Sequence, residues 1–158
     1  MKPVIESSLN VVLYEPEIPA NTGNIGRLCL GCGARLHLIR PLRFLLDDKS
    51  LKRAGLDYWH KLDYRVWDSL PEALENVDPA RVFYATTKST RSYTETAFQA
   101  GDWLVFGPES RGLPEGLLET HPENCITIPM SMEIRSLNLA NSVAIILYEA
   151  IRQLAVRS

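Results

Sequence analysis

Apolar residues gather along this chain into six short runs, each bounded by glycine, proline or polar residues. Leu9–Tyr14, Leu36–Ile39, Tyr64–Trp67, Arg81–Thr86, Trp103–Phe106 and Cys125–Ile128 read as strands, the first of them a buried one. Between them the apolar spacing changes to a helical period. Ile25, Leu28, Cys29 and Cys32 share one stripe of a helix that Asn21 or Thr22 can cap and that Gly31 and Gly33 close. Asp47 or Asp48 can open a short basic helix ending at Ala54 before Gly55, and Ser69 with Glu72 resembles a capping box. A further short helix is expected over Pro114–Glu119. Thr87–Gln99 is polar and loop-rich. The last pattern, Ala140, Val143, Ala144, Leu147, Ile151 and Leu154, predicts a long helix over Leu137–Ala155.

Strands that alternate with helices predict an α/β domain around a mainly parallel sheet flanked by helices. At 158 residues, one domain spanning 1–158 with a single core is expected, residues 1–8 forming an N-terminal extension without evident role. No apolar run approaches the roughly 20 residues needed to span a bilayer, and the first eight residues lack the apolar stretch of a secretory signal. Three cysteines, an odd count without disulfide-like spacing, fit a reducing cytoplasm. The net charge of −2 counts against indiscriminate nucleic-acid binding. Its distribution is uneven, however. Arg35–Arg65 holds eight basic and four acidic residues, a local balance of +4 that leaves −6 for the rest of the chain. That segment is either a solvated surface or a local basic face.

Three constrained segments follow predicted strands: Asn21–Arg27, Phe106–Pro114, and Ile128–Met130 with Arg135–Asn141. In a parallel sheet, ligands bind outside the carboxyl ends of the strands, so the topology gathers the three on one edge. The first is neither a dinucleotide fingerprint nor a Walker loop. It reads as a helix cap or, through Arg27, as an anion site near a helix start. The second sets Glu109 beside a strand-terminal Gly107-Pro108. The third places Ser136, Asn138 and Asn141 about a helix start, where Ser136 or Asn138 can cap. Cys29 and Cys32 form a Cys-x-x-Cys, but no second pair completes a zinc site and both fit the apolar stripe. His37, His60 and His121 have no visible nucleophile partner.

Together these segments resemble the three motifs of the SPOUT RNA methyltransferases, SpoU branch. Val12–Pro19, Arg53–Tyr58 and Tyr148–Ala150 are similar to the subgroup that methylates the ribose 2′-hydroxyl of the wobble nucleotide of tRNA, a cytidine or modified uridine. The likeness covers roughly Leu9 to Leu154. It implies a deep C-terminal trefoil knot, a rarity among folds. It also implies S-adenosylmethionine held by Ala85, Thr86, Gly107, Ile128, Met130, Ser136, Leu137 and Asn141, with no metal. It implies a homodimer packed through the last helix, with Tyr148 either at that interface or on the apolar stripe. The substrate implied is the anticodon stem-loop of tRNA, with no membrane partner. Arg27, Lys49, Lys52, Arg53 and Lys88 are the implied RNA contacts. Arg27, Asn21, Glu109, Ser136 and Asn138 are the implied catalytic set. Arg27 is proposed in this branch as the base. Because arginine stays protonated, anchoring a phosphate and stabilising the developing alkoxide is the other role open to it. Methylation at another tRNA or rRNA position, a non-catalytic RNA-binding module and a Cys-x-x-Cys redox or metal protein are the alternatives.

Overall fold

A computed structural model describes residues 7–46, 49, 53 and 58–157. Six strands, β1 (Asn10–Tyr14), β2 (Arg35–Ile39), β3 (Tyr64–Trp67), β4 (Val82–Ala85), β5 (Trp103–Phe106) and β6 (Cys125–Ile126), form one sheet in the order β3-β2-β1-β5-β4-β6. Every pairing is parallel, with Val12 opposite both His37 and Val105. Helices α1 (Pro19–Cys32), α2 (Leu70–Ala73), α3 (Glu115–Thr120) and α4 (Leu139–Arg157) connect or follow the strands. Among the described residues no helix is long and apolar enough to cross a membrane.

Strand side chains alternate between two cores. Val11, Leu13, Leu36, Leu38, Phe83, Leu104 and Phe106 pack with Ile25, Cys29 and Cys32 of α1 and Val143, Ile146, Leu147 and Ala150 of α4. Val12, Ile39, Val82, Tyr84 and Val105 face the other way, onto Leu70, Ala73, Leu113 and Leu118. Burial on both faces is why the strands read as continuous apolar runs. The cysteine pair belongs to the first core. Burial raises both thiols, which disfavours the thiolate that redox chemistry or metal binding needs.

Several boundaries differ from expectation. Helix α1 begins at Pro19, so Asn21 and Thr22 lie inside it and neither is its cap. Proline is pre-organised for the first helical position, and the acceptors for the preceding N–H groups come from a distant loop. Strand β6 stops at Ile126 because Thr127 pairs instead with the 91–93 segment, donating to Arg91 O and accepting from Tyr93 N. Helix α4 starts at Leu139, with Asn138 Oδ1 accepting from Asn141 N at 3.2 Å. Ser69 caps α2 as expected, accepting from Glu72 N. The basic helix expected from Asp47 or Asp48 to Ala54 falls largely outside the described residues; Lys49 and Arg53 are helical and exposed.

Two polar groups are fixed within the frame. Asp102, fully buried, takes a bidentate pair from Arg81 at 2.7 and 2.8 Å and the Gln99 N–H at 2.7 Å, tying the starts of β4 and β5 together. His37 is buried with both ring nitrogens engaged. Its Nδ1 accepts from Trp67 Nε1 at 3.0 Å, so Nε2 carries the proton and donates to Asn10 Oδ1 at 3.0 Å. Burial, with Arg35 nearby, lowers its pKa to about 4. The unfolded chain binds that proton near pH 6.5, so stability is full above that value and is lost as pH falls toward 4. By NMR titration the His37 ring should stay neutral to about pH 4. Acid unfolding should show His37 withdrawing about 3 kcal/mol across that window.

Candidate functional site

The sheet order reverses between β1 and β5, and the loops leaving their carboxyl ends meet there. In open parallel sheets this is where ligands bind. A hollow of about 530 Å³ lies at this edge. Its walls come from residues 85–88 at the end of β4, 107–113 after β5, Ile126, Thr127, Ile128, Met130 and 135–139 around β6 and the start of α4, and from Ile18 just before α1 and Asn21 within it.

The wall after β5 turns back sharply on itself. A side chain at Gly107 would place its Cβ 2.4 Å from Gly112 C and Leu113 N, so only glycine allows the return. The Gly112 N–H donates to Pro108 O at 3.0 Å. This turn carries Glu109 to the start of α1. There Oε1 accepts from Glu17 N at 3.0 Å, and Oε2 accepts from Ile18 N at 2.8 Å and Asn21 Nδ2 at 3.3 Å. A carboxylate at a helix N-terminus satisfies orphan N–H groups and complements the helix dipole. The tie is reciprocal. Glu17 accepts from Ser110 N at 2.8 Å and Ser110 Oγ at 2.9 Å, and these bonds, the hydroxyl's first, hold its carboxyl below the usual range. Arg111 pairs with Glu15 at 2.6 Å and approaches Glu17 at 3.7 Å.

Asn21 extends the connection to the third wall. Its Oδ1 accepts from Asn138 Nδ2 at 3.2 Å, and Asn138 caps α4. Glu109, Asn21 and Asn138 therefore form one hydrogen-bonded path through all three constrained segments. Ser136 sits exposed on the rim of the hollow.

The other expected residues divide. Ala85, Thr86, Gly107, Ile128, Met130 and Leu137 line the hollow. Asn141 does not; its backbone completes the α4 cap, and Ser142 lines the wall instead. Arg27 does not line it either. It lies exposed on the outer side of α1, its guanidinium 5.2 Å from the Tyr58 ring centre. Helix α1 packs closely here, a Cβ on Gly26 falling 2.4 Å from the Trp59 ring. Lys88 is on the rim, ion-paired with Glu115. Lys52 lies outside the described residues. Sequence reading missed Glu15, Glu17 and Arg111, although two acidic residues around Pro16 and a basic one beside Glu109 were a visible signal of charge pairing.

Fold and site together define a parallel α/β protein with a small-ligand cradle at the carboxyl edge of its sheet. The chain belongs to the SpoU rRNA Methylase family, whose model matches residues 8–148. It is 54% identical over 147 residues to a tRNA (cytidine(34)-2′-O)-methyltransferase of Aeromonas hydrophila, covering 92% of this chain and 94% of that one. The same-named protein of Escherichia coli K12 is 51% identical over 154 residues, with the same coverage of each. A solved structure concerned with 2-OH methylation of C/U34 on tRNA superposes with a TM-score of 0.88 at 50% identity, covering 94% of this chain and 97% of that one. The SpoU methyltransferase AviRb of Streptomyces viridochromogenes, solved in complex with AdoMet, superposes with a TM-score of 0.78 at 27% identity over 96% of this chain and 59% of that one.

Replacing Gly107 by Ala forces the return of the 107–113 loop to open. Overpacking of this kind costs about 1–3 kcal/mol. Urea unfolding should show a lowered midpoint with unchanged slope, whereas Gly116→Ala, in helix α3 where a Cβ meets nothing within 4 Å, should not lower the midpoint and should raise it through better helix propensity.

Proposed function

We propose that this protein transfers the methyl group of S-adenosylmethionine to the ribose 2′-hydroxyl of the wobble nucleotide of tRNA, a cytidine or modified uridine, acting as a cytoplasmic homodimer with the family's knotted C-terminus. One observation carries the reading. A chain about half identical to tRNA (cytidine(34)-2′-O)-methyltransferases, over more than nine tenths of both, joins its three motif loops through Glu109, Asn21 and Asn138 around one hollow.

The hollow suits the cofactor. At about 530 Å³ it is ample for a nucleoside-sized ligand. Ile126, Ile128, Leu137, Leu139 and Ile146 give it apolar walls, and Ala85, Thr86 and Gly107 line it at the strand ends. When bound there, the cofactor supplies an activated methyl on a sulfonium. The chain's task is then to hold a ribose hydroxyl in line with that methyl and let its proton leave, work done mainly by positioning.

The residues divide that task. The Glu109 carboxylate already accepts three hydrogen bonds from the start of α1, so it acts as an orienting group rather than as the base. Asn21 and Asn138 fix the two walls relative to one another, and Ser136, exposed on the rim, is placed to meet the substrate. Arg27, permanently charged and turned outward over Tyr58, is suited to a phosphate beside the target ribose. Lys49 and Arg53 are exposed in the basic segment and extend that face toward the RNA backbone. Support for a dimer is the exposure of Tyr148 on the outer side of α4, away from the apolar stripe.

Incubation with labelled S-adenosylmethionine and undermodified tRNA should place the label on the ribose of nucleotide 34 by mass spectrometry. Arg27→Ala should lower kcat by about 100-fold or more while cofactor affinity stays unchanged, since Arg27 lies off the hollow. Label on another nucleotide would replace the substrate proposed. Binding of tRNA without any transfer would mark an RNA-binding module.

A further inference from the structure

Resting on the methyl transfer proposed above, we infer that Glu15 and Glu17 are positioning residues of that reaction: they lock the cofactor-lining 107–113 loop to the segment that leads into helix α1, from outside the hollow. Neither carboxylate lines the hollow, so neither reaches a ligand held there. Each instead grips a residue that does. Glu17 takes both the N–H and the hydroxyl of Ser110, and Glu15 takes the guanidinium of Arg111. From the other side, Glu109 of the same loop grips the N–H groups of Glu17 and Ile18. The two segments, more than 90 residues apart in sequence, thus exchange carboxylates in both directions.

The backbone points the same way. Glu15 has φ of +49°, in the left-handed region that residues other than glycine rarely adopt. Only a minority of residues other than glycine tolerate it, and a plain turn after β1 is better served by Gly or Asn. What the glutamate provides that glycine lacks is the carboxylate 2.6 Å from Arg111. Glu15 and Glu17 flank Pro16, whose carbonyl accepts from Arg43 N at 3.2 Å, so the segment bearing both carboxylates is itself anchored. With the lock closed, a loop that touches the cofactor and the helix that bears Asn21 and Arg27 move as one body. Cofactor geometry and ribose geometry are then set together.

The test is steady-state methyl transfer by the full chain, with tRNA affinity measured separately without cofactor. In Glu17→Ala the KM for S-adenosylmethionine should rise at least fivefold and kcat fall at least tenfold, while the tRNA Kd stays within twofold. Glu17→Gln, which keeps an acceptor for the Ser110 N–H, should lose less. Glu15→Gly removes the carboxylate and relieves the left-handed backbone, so it should be no less heat-stable than the wild type yet show the same split. Cofactor KM and kcat within twofold of the wild type in both Glu17→Ala and Glu15→Gly would overturn the inference alone. So would a tRNA affinity that falls in step with cofactor affinity, the mark of a general loss of structure. A wild-type chain that transfers no methyl would instead overturn the transfer reading itself.

Discussion

The upper edge of this molecule depends on a carboxylate placed at a helix start. Helix α1 begins with a proline and has no side-chain cap of its own. The N–H groups of Glu17 and Ile18, which lead into it, are satisfied by Glu109, delivered from the loop after β5. A helix end buried without partners is costly, so the loop and the helix stabilise one another. Asn21 passes the connection to Asn138 and so to the cap of α4. The two long helices of one core and the loop of the hollow are thereby held by a single polar path. Breaking it at Glu109 leaves donors unpaired in three places.

The two ends of the sheet solve different problems. At the amino end, Arg81 closes a bidentate pair on the buried Asp102, and in the middle of β2 His37 is locked neutral between Asn10 and Trp67. These ties surround apolar strands and need no mobility. At the carboxyl end the ties are partly exposed carboxylates, and the walls of the hollow are loops. Surface pairs of that kind each contribute little. Their worth lies in geometry, since several converge on the same two segments.

The sheet was legible in the sequence because burial on both faces leaves a simple mark. Runs such as Leu9–Tyr14 and Trp103–Phe106 have no period to misread. The three site loops were legible because Gly, Pro and Asn beside strand ends are uncommon enough to stand out. What was not legible lay in pairings across long sequence distance. The start of α1 was misplaced because its capping carboxylate is 88 residues from Asn21, where local capping rules cannot look. Strand β6 was overextended because the partner of Thr127 is a loop and not a strand. Arg27, which interrupts an apolar run, lies beyond the first turn of α1 and faces outward, exposed beside the Tyr58 ring.

The three cysteines, all buried and unpaired, give the molecule a property unrelated to methyl transfer. Cys29 and Cys32 sit between α1 and the sheet, and Cys125 begins β6 and packs against Leu118 of α3 in the other core. Burial suppresses the thiolate at each, so alkylating reagents and oxidants meet them only when the surrounding structure opens. Cys125 reports the loosening of the core beneath α3, and the other two report separation of α1 from the sheet. Without any label being introduced, the rate at which each sulfur is modified becomes a clock for how often that part of the fold breathes.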